Sequence, residues 1–260
     1  MALLLSLSLV LPAWGDEEAQ AGRQIINKWQ DTVVTVQLVI KTSMVFGGEE
    51  GSKRESKAEA TGTVIDPSGL VVTSLSATSP EEVFGSMMPG EMDVSSEITD
   101  MKILLSDGKE LPAKIVLRDR DLDLAFIRPT EKPAKPLTAI DLSKATKLAL
   151  LDQTVILYRL GTVASRAVAA CFDRVQSIVE KPRTFYVPGL PSMGASLGAP
   201  VFAMDTNVSG LLLLRTLPTG MSDEGGVFSG MSGMGMMYIV LPAADILEAA
   251  KQAPKVEEAD

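Results

Sequence analysis

No histidine occurs anywhere in the 260 residues, which removes the imidazole that most often accepts and returns a proton near neutral pH. Cysteine occurs once, as Cys171, so no intrachain disulfide can form and the residue reads as a small buried apolar side chain. Aromatics make up only 5%, and the 24 basic residues are scattered through a chain of net charge −9. There is no arginine-rich stripe and hence no electrostatic footprint for nucleic acid. No apolar run is long enough to span a bilayer; Ala2 to Pro12 has the length of a signal-peptide core instead.

Small residues at Ala13 and Gly15 follow that run and predict cleavage of a signal peptide, residues 1–15, with a mature domain over 16–260. The run has no basic segment before it and no cysteine at its end, so the expectation is an exported protein, periplasmic or secreted, without a lipid anchor. Ala21, Ile25, Ile26 and Trp29 share one helical face and predict a short amphipathic helix over Glu17 to Gln30. Val33 to Ile40 is rich in β-branched residues and predicts a strand. Gly47 to Lys57 and Ser79 to Ser96 are polar, and both read as loops, the second carrying Met87, Met88 and Met92.

Thr61 to Thr78 predicts a hairpin, because Asp66-Pro67-Ser68-Gly69 puts Pro where a turn wants φ near −65° and Gly where it wants freedom. A second hairpin turns at Ser106-Asp107-Gly108-Lys109. Met101, Ile103 and Leu105 alternate with polar residues before it, and Leu111, Ala113, Ile115 and Leu117 after it. Glu131 to Pro136 reads as the crossing between two halves, a first barrel over about 31–130 and a second over about 137–242. Thr154 to Tyr158, Val168 to Val179 and Thr184 to Val187 are strand candidates in the second. Ile246, Leu247 and Ala250 give a C-terminal helix over 243–252 its inner face. Short strands with helices only at the ends argue an all-β architecture of two antiparallel barrels.

Three segments resemble HtrA-type, trypsin-like serine proteases. Val72-Thr73-Ser74-Leu75-Ser76-Ala77 is similar to the family's G-x-I-V-T-N-x-H-V, with Ser76 at the position of the general base. Arg118 to Phe126 is similar to R-D-x-x-x-D-L-A-V, with Asp123 at the position that orients that base. Pro188 to Phe202 looks like the loop N-P-G-N-S-G-G-P-L-V. Read back without a gap from Pro200, it gives Gly198 and Ala199 the two glycines, Leu197 the nucleophile and Ala195 the oxyanion-hole residue. A one-residue gap would give the nucleophile to Ser196 instead. The resemblance runs from about Val33 to Lys251, with Met237 to Pro242 similar to the strand before the C-terminal helix, and implies a protease domain with no PDZ domain after it.

Catalysis of this kind needs a hydroxyl, a base within reach of it and a group to orient the base. Here the base position is Ser76, the ungapped nucleophile position is Leu197, and Ala195 carries a Cβ where the family has Gly. Asp123 is retained and is expected to accept structural hydrogen bonds. The expectation is a pseudoprotease with no functional catalytic residue and no cofactor, kept as a binding or scaffold module for a protein or peptide partner. One alternative is a serine endopeptidase, as the resemblance alone would imply, including a Ser-Lys version pairing Ser196 with Lys181 or Lys144. Another is copper handling by Met221, Met231 and Met234 in the Gly-rich stretch Gly220 to Met237, since thioethers suit Cu(I). The same methionines also suit an adaptable peptide-binding surface, and any ligand is expected to engage the face formed by Ser79 to Ser96 and Gly220 to Ser232. Oligomeric state is not legible from the sequence.

Overall fold

The computed structural model describes residues 14–46, 49–79, 92–189, 196–216 and 236–255. Helix α1 (Trp14–Trp29) leads into a first sheet of β1 (Val33–Phe46), β2 (Glu49–Asp66), β3 (Leu70–Ser74), β4 (Met92–Leu104), β5 (Glu110–Asp119) and β6 (Leu124–Pro129). These close into a six-stranded barrel in the order β1-β2-β3-β6-β5-β4. A one-turn helix, α2 (Leu75–Thr78), follows β3 directly. The second half contains β7 (Gln153–Arg159), β8 (Val168–Arg174), β9 (Ser177–Val179), β10 (Phe185–Val187), β11 (Pro200–Ala203), β12 (Val208–Thr216) and β13 (Met236–Pro242), then helix α3 (Ala243–Ala250). All ladders among the described residues are antiparallel.

Both predicted hairpins form. At the first, the Gly69 amide donates to the Asp66 carbonyl at 2.9 Å, the Asp66 carboxylate takes the Ser68 amide at 2.8 Å, and Gly69 sits at φ 96°. At the second, Leu105 and Lys109 close the turn and Gly108 takes φ 84°.

Two expectations need correction. Gly47 to Lys57 is not a loop beyond residue 48, because β2 begins at Glu49 and its residues pair with β1 in register from Lys53 opposite Ser43 to Lys57 opposite Val39. Ladder hydrogen bonds are made by backbone, and side chains 54–57 all face solvent, so polar composition there marks exposed faces and not missing structure. Residues 92–96 of the stretch Ser79 to Ser96 also belong to β4, with Met92 opposite Phe46.

The second half departs from a closed six-stranded barrel. It is a seven-stranded sheet in the order β8-β7-β11-β12-β13-β10-β9, curled and open among the described residues. The strands at its two edges, β8 and β9, are joined through Val175 and Gln176, so the curl must bring the edges together. The Val175 carbonyl accepts from Leu151 and the Gln176 amide donates to Val187, each at or below 2.9 Å. The crossing expected at Glu131 to Pro136 lies between β6 and β7 and is tied to the first barrel by Leu137 donating to Pro67 and Ile140 donating to Val64, both at 2.9 Å.

Side-chain periodicity decides what each strand buries. In β1, Val34, Val36, Leu38 and Ile40 alternate and fill the barrel with Val64, Val71, Ile103 and Ile127. In β3, β6, β7 and β12 the apolar runs are continuous because both faces are covered. Thus Val71 and Ile127 face the barrel while Val72 and Phe126 face the second half; likewise Ile156 and Leu212 face the second core while Val155, Leu157, Leu211 and Leu213 face the first half. The shared core between the halves also takes Ile25 of α1 and Ile246 of α3. That sandwich of doubly buried strands is what fixes the position of the site.

Polar ties reinforce it. Trp29 stacks on Phe202 at 6.0 Å between centroids and donates its indole N–H to the Thr206 carbonyl at 2.8 Å. The Arg159 guanidinium donates to the carbonyls of Val33 and Gln30, and Arg166 donates its Nε to the Glu59 carboxylate of β2 at 2.9 Å. Partial burial pushes the Glu59 carboxyl up, but the bonds and charge of Arg166 outweigh it and hold the carboxyl below its ordinary value. Glu59→Gln should therefore cost about 1 kcal/mol at pH 7. With the folded pKa depressed, this stability is present above the ordinary glutamate value of about 4.3 and lost as pH falls through the folded value. Urea titrations of both proteins at neutral and acid pH should show the difference closing on acidification.

Candidate functional site

The site is organised where β3 ends. Ser74 takes an extended conformation there and its hydroxyl accepts the Ala77 amide at 3.3 Å, which caps α2 and fixes the direction of Ser76. Asp123 arrives from the turn before β6, where Asp119 accepts the Leu122 amide at 3.0 Å. Its φ of 58° is a left-handed conformation that Asp tolerates better than most residues, and its carbonyl accepts the Leu75 amide at 2.9 Å.

The Asp123 carboxylate accepts four hydrogen bonds. One oxygen takes the Ser76 amide and the Ser76 hydroxyl, both at 2.7 Å; the other takes the Ser74 hydroxyl at 2.6 Å and the Leu214 amide of β12 at 3.1 Å. Burial pushes the carboxyl above the usual aspartate range, against the downward pull of those bonds. The Ser76 hydroxyl proton is thus directed at the carboxylate. A hydroxyl so engaged offers no basic lone pair comparable with imidazole nitrogen.

The segment leading into β11 passes close to Ser74. Gly198 has φ 87°, donates its amide to the Leu212 carbonyl at 2.7 Å and accepts the Thr63 hydroxyl at 2.9 Å. A Cβ on it would lie 2.3 Å from the Thr61 carbonyl and 3.1 Å from the Ser74 amide, so the chain is wedged against β2 and β3. The half-buried Leu197 precedes it, while Ser76 and Asp123 meet beside Ser74 through the hydrogen bonds of the carboxylate. Ser196, which accepts the Ala199 amide on its carbonyl at 3.2 Å, lines a separate cleft of about 80 Å³ with Glu59, Thr61 and Arg159. Of the lysines considered for it, Lys144 pairs with Asp141 at 3.1 Å and Lys181 is exposed. Ala195, Met221, Met231 and Met234 lie outside the described residues, as do Met87 and Met88; Met236 and Met237 begin β13.

Beside Asp123 opens a cleft of about 550 Å³ lined by Ser76, Phe185 and three arginines, Arg120, Arg183 and Arg215. Sequence reasoning missed these arginines. They come from three separate segments and no spacing links them. Among the described residues, no group of three or more acidic, histidine or cysteine side chains is placed to hold a metal ion. Burial, with the Asp173 charge nearby, pushes the Cys171 thiol up to about 11, so it stays protonated at neutral pH.

Two changes test this arrangement. Gly198→Ala puts a Cβ into the Thr61 carbonyl and forces a left-handed φ on Ala, and should cost about 2 kcal/mol or more in urea unfolding. Asp123→Asn keeps the left-handed conformation but turns one acceptor oxygen into a donor, and should cost about 1–3 kcal/mol by leaving a buried donor unpaired; Asp123→Ala should cost more. A raised folded pKa means that the stability Asp123 contributes is full below the ordinary value of about 3.9 and is lost as pH rises through the folded value. The cost of Asp123→Asn should therefore shrink between pH 4 and pH 7, as read by denaturation at each pH.

The sequence profile of the trypsin-like peptidase domain matches residues 60–211, a span that contains Ser76, Asp123 and Leu197. Among solved structures, the apo form of the MamO protease domain from Magnetospirillum magneticum superposes with a TM-score of 0.51 at 15% identity, covering 85% of this chain and 96% of that one, a likeness of fold. No curated protein sequence matches. With more than half of its 260 residues matched, the chain belongs to the trypsin-like peptidase domain family.

Proposed function

We propose that the protein is a catalytically inactive trypsin-like peptidase of HtrA type, exported to the periplasm or secreted, and kept as a binding or scaffold module for a protein or peptide partner. The observation that carries this reading is the 2.7 Å hydrogen bond from the Ser76 hydroxyl to Asp123 at the position of the general base, in a chain without histidine. The carboxylate that would orient an imidazole is fully used as a structural acceptor. At the nucleophile position Leu197 has no oxygen to attack with, and Ala195 replaces the residue whose backbone freedom the oxyanion loop needs. Export rests on the apolar run Ala2 to Pro12 and the small residues that follow it.

Hydrolysis of unfolded casein by the mature protein should be at background. Ser76→His with Leu197→Ser should still give little activity, because one missing oxyanion donor alone costs about 10²-fold or more. Adding Ala195→Gly to that pair should raise the rate. Casein cleavage by the unmodified protein that disappears in Ser196→Ala would mean that the chain is an endopeptidase with its nucleophile one residue earlier.

A further inference from the structure

We infer that a groove at the seam between β4 and β5 is the docking surface for the chain's own acidic segment Val256 to Asp260, whose carboxylates pair with Lys114 and Arg118. The groove shares no lining residue with the cleft beside Asp123, and the inference does not rest on the binding-module reading.

The first barrel closes through a short ladder. Strands β4 and β5 pair only from Lys102 opposite Pro112 to Leu104 opposite Glu110, although β4 begins at Met92 and β5 runs on to Asp119. Outside that ladder β4 keeps β1 on one side and β5 keeps β6, and neither has a partner strand on the other side among the described residues. Residues 97–101 and 113–118 make no backbone hydrogen bond beyond the ladders with β1 and β6 among the described residues. Such an edge is a template for another strand, and native chains cover it or charge it.

Two adjoining clefts follow the seam. One of about 360 Å³ opens between Ile98, Met101, Ala113 and Ile115. The other, of about 540 Å³, shares Lys114, Ile115 and Thr130 with it and runs on to Pro254 and Lys255. Their walls set Lys114, Arg118, Arg128 and Lys255 against one acid, Asp100. Asp100 lies beside Lys102, which pairs with Glu110 at 3.0 Å. Lys114 and Arg118 are exposed and form no ion pair with another described residue.

Arg128 is buried and committed, and its part is to aim the segment. It donates Nε to the Pro254 carbonyl at 2.7 Å and Nη1 to the Ser68 hydroxyl at 2.9 Å, with the Asp66 charge close by. With Ala253 buried as well, this holds Lys255 at the mouth of the groove. Residues 256–260, which lie outside the described residues, read Val-Glu-Glu-Ala-Asp. Glu257 and Glu258 stand at most about 11 Å beyond Lys255 along an extended chain, a reach suited to Lys114 in the cleft that Lys255 also lines. Asp260, at most about 18 Å beyond Lys255, can follow β5 toward Arg118, which lies about 13 Å along the strand from Lys114. One exposed ion pair contributes little. A segment tethered at the groove's mouth has an effective concentration on the order of mM, so several weak pairs act together.

Carbodiimide cross-linking of the full chain, which joins a carboxylate to a lysine in contact with it, tests this when mapped by mass spectrometry. Glu257 or Glu258 should link to Lys114 within one molecule. The yield should fall at least about fivefold as salt shortens the screening length from about 30 Å to about 3 Å. In a chain ending at Lys255, amides among residues 97–101 and 113–118 should exchange hydrogen at least about tenfold faster. Lys114→Glu with Arg118→Glu, both at exposed positions, should speed exchange in the same way, and adding Glu257→Lys with Glu258→Lys should restore it. Cross-links from the segment to other lysines only, exchange unchanged by the deletion, or no restoration by the double reversal would overturn the inference. Lys114 links that join an isotope-labelled chain to an unlabelled one would overturn it too, since the groove would then hold a second copy.

Discussion

The buried carboxylate of Asp123 is the constraint on which the site depends. It accepts from Ser74 at the end of β3, from Ser76 in α2 and from Leu214 in β12, so one side chain joins the first barrel to the second sheet. A carboxylate removed from water is costly unless its lone pairs are satisfied, and here four donors converge on it. Each donor is itself placed by regular structure, the α2 amide by the Ser74 cap and the β12 amide by a strand buried on both faces. Asp123 is thus an internal staple between the two halves, and its replacement is felt as lost stability.

Packing also fixes the backbone that leads into β11. Gly198 has a positive φ, and Thr61 and Ser74 leave no room for a Cβ on it, so packing alone requires glycine at this position. Packing requirements on Gly198 are independent of what its neighbour does chemically.

Much of the fold was legible in local pattern. The turns at Asp66-Pro67-Ser68-Gly69 and at Asp107-Gly108 carry their own geometry, and the alternation of Val34, Val36, Leu38 and Ile40 fixes which face of β1 enters the barrel. What escaped was structure made by backbone pairing alone, as in the polar start of β2, where side chains 54–57 are all exposed and carry no period. The open, seven-stranded second sheet escaped too, because whether edges pair is decided by the bend at Val175 and Gln176 and not by the strands themselves. Ser76 and Asp123, which the fold joins by hydrogen bonds, each lie in a short motif that the sequence displays. Arg120, Arg183 and Arg215 share no motif, since only the tertiary fold brings them to one cleft.

The proposed lack of an activated serine is measured most directly by intact-mass analysis of the full chain after exposure to a fluorophosphonate. A probe of this type forms a covalent bond only with a serine hydroxyl activated by a neighbouring base. The mass should stay unchanged at every pH at which the domain is folded, since the Ser76 hydroxyl is bound to Asp123 and no imidazole exists to activate any other serine. Stoichiometric addition of one phosphonyl group, mapped to Ser196 or to any other single serine and abolished by unfolding, would contradict it.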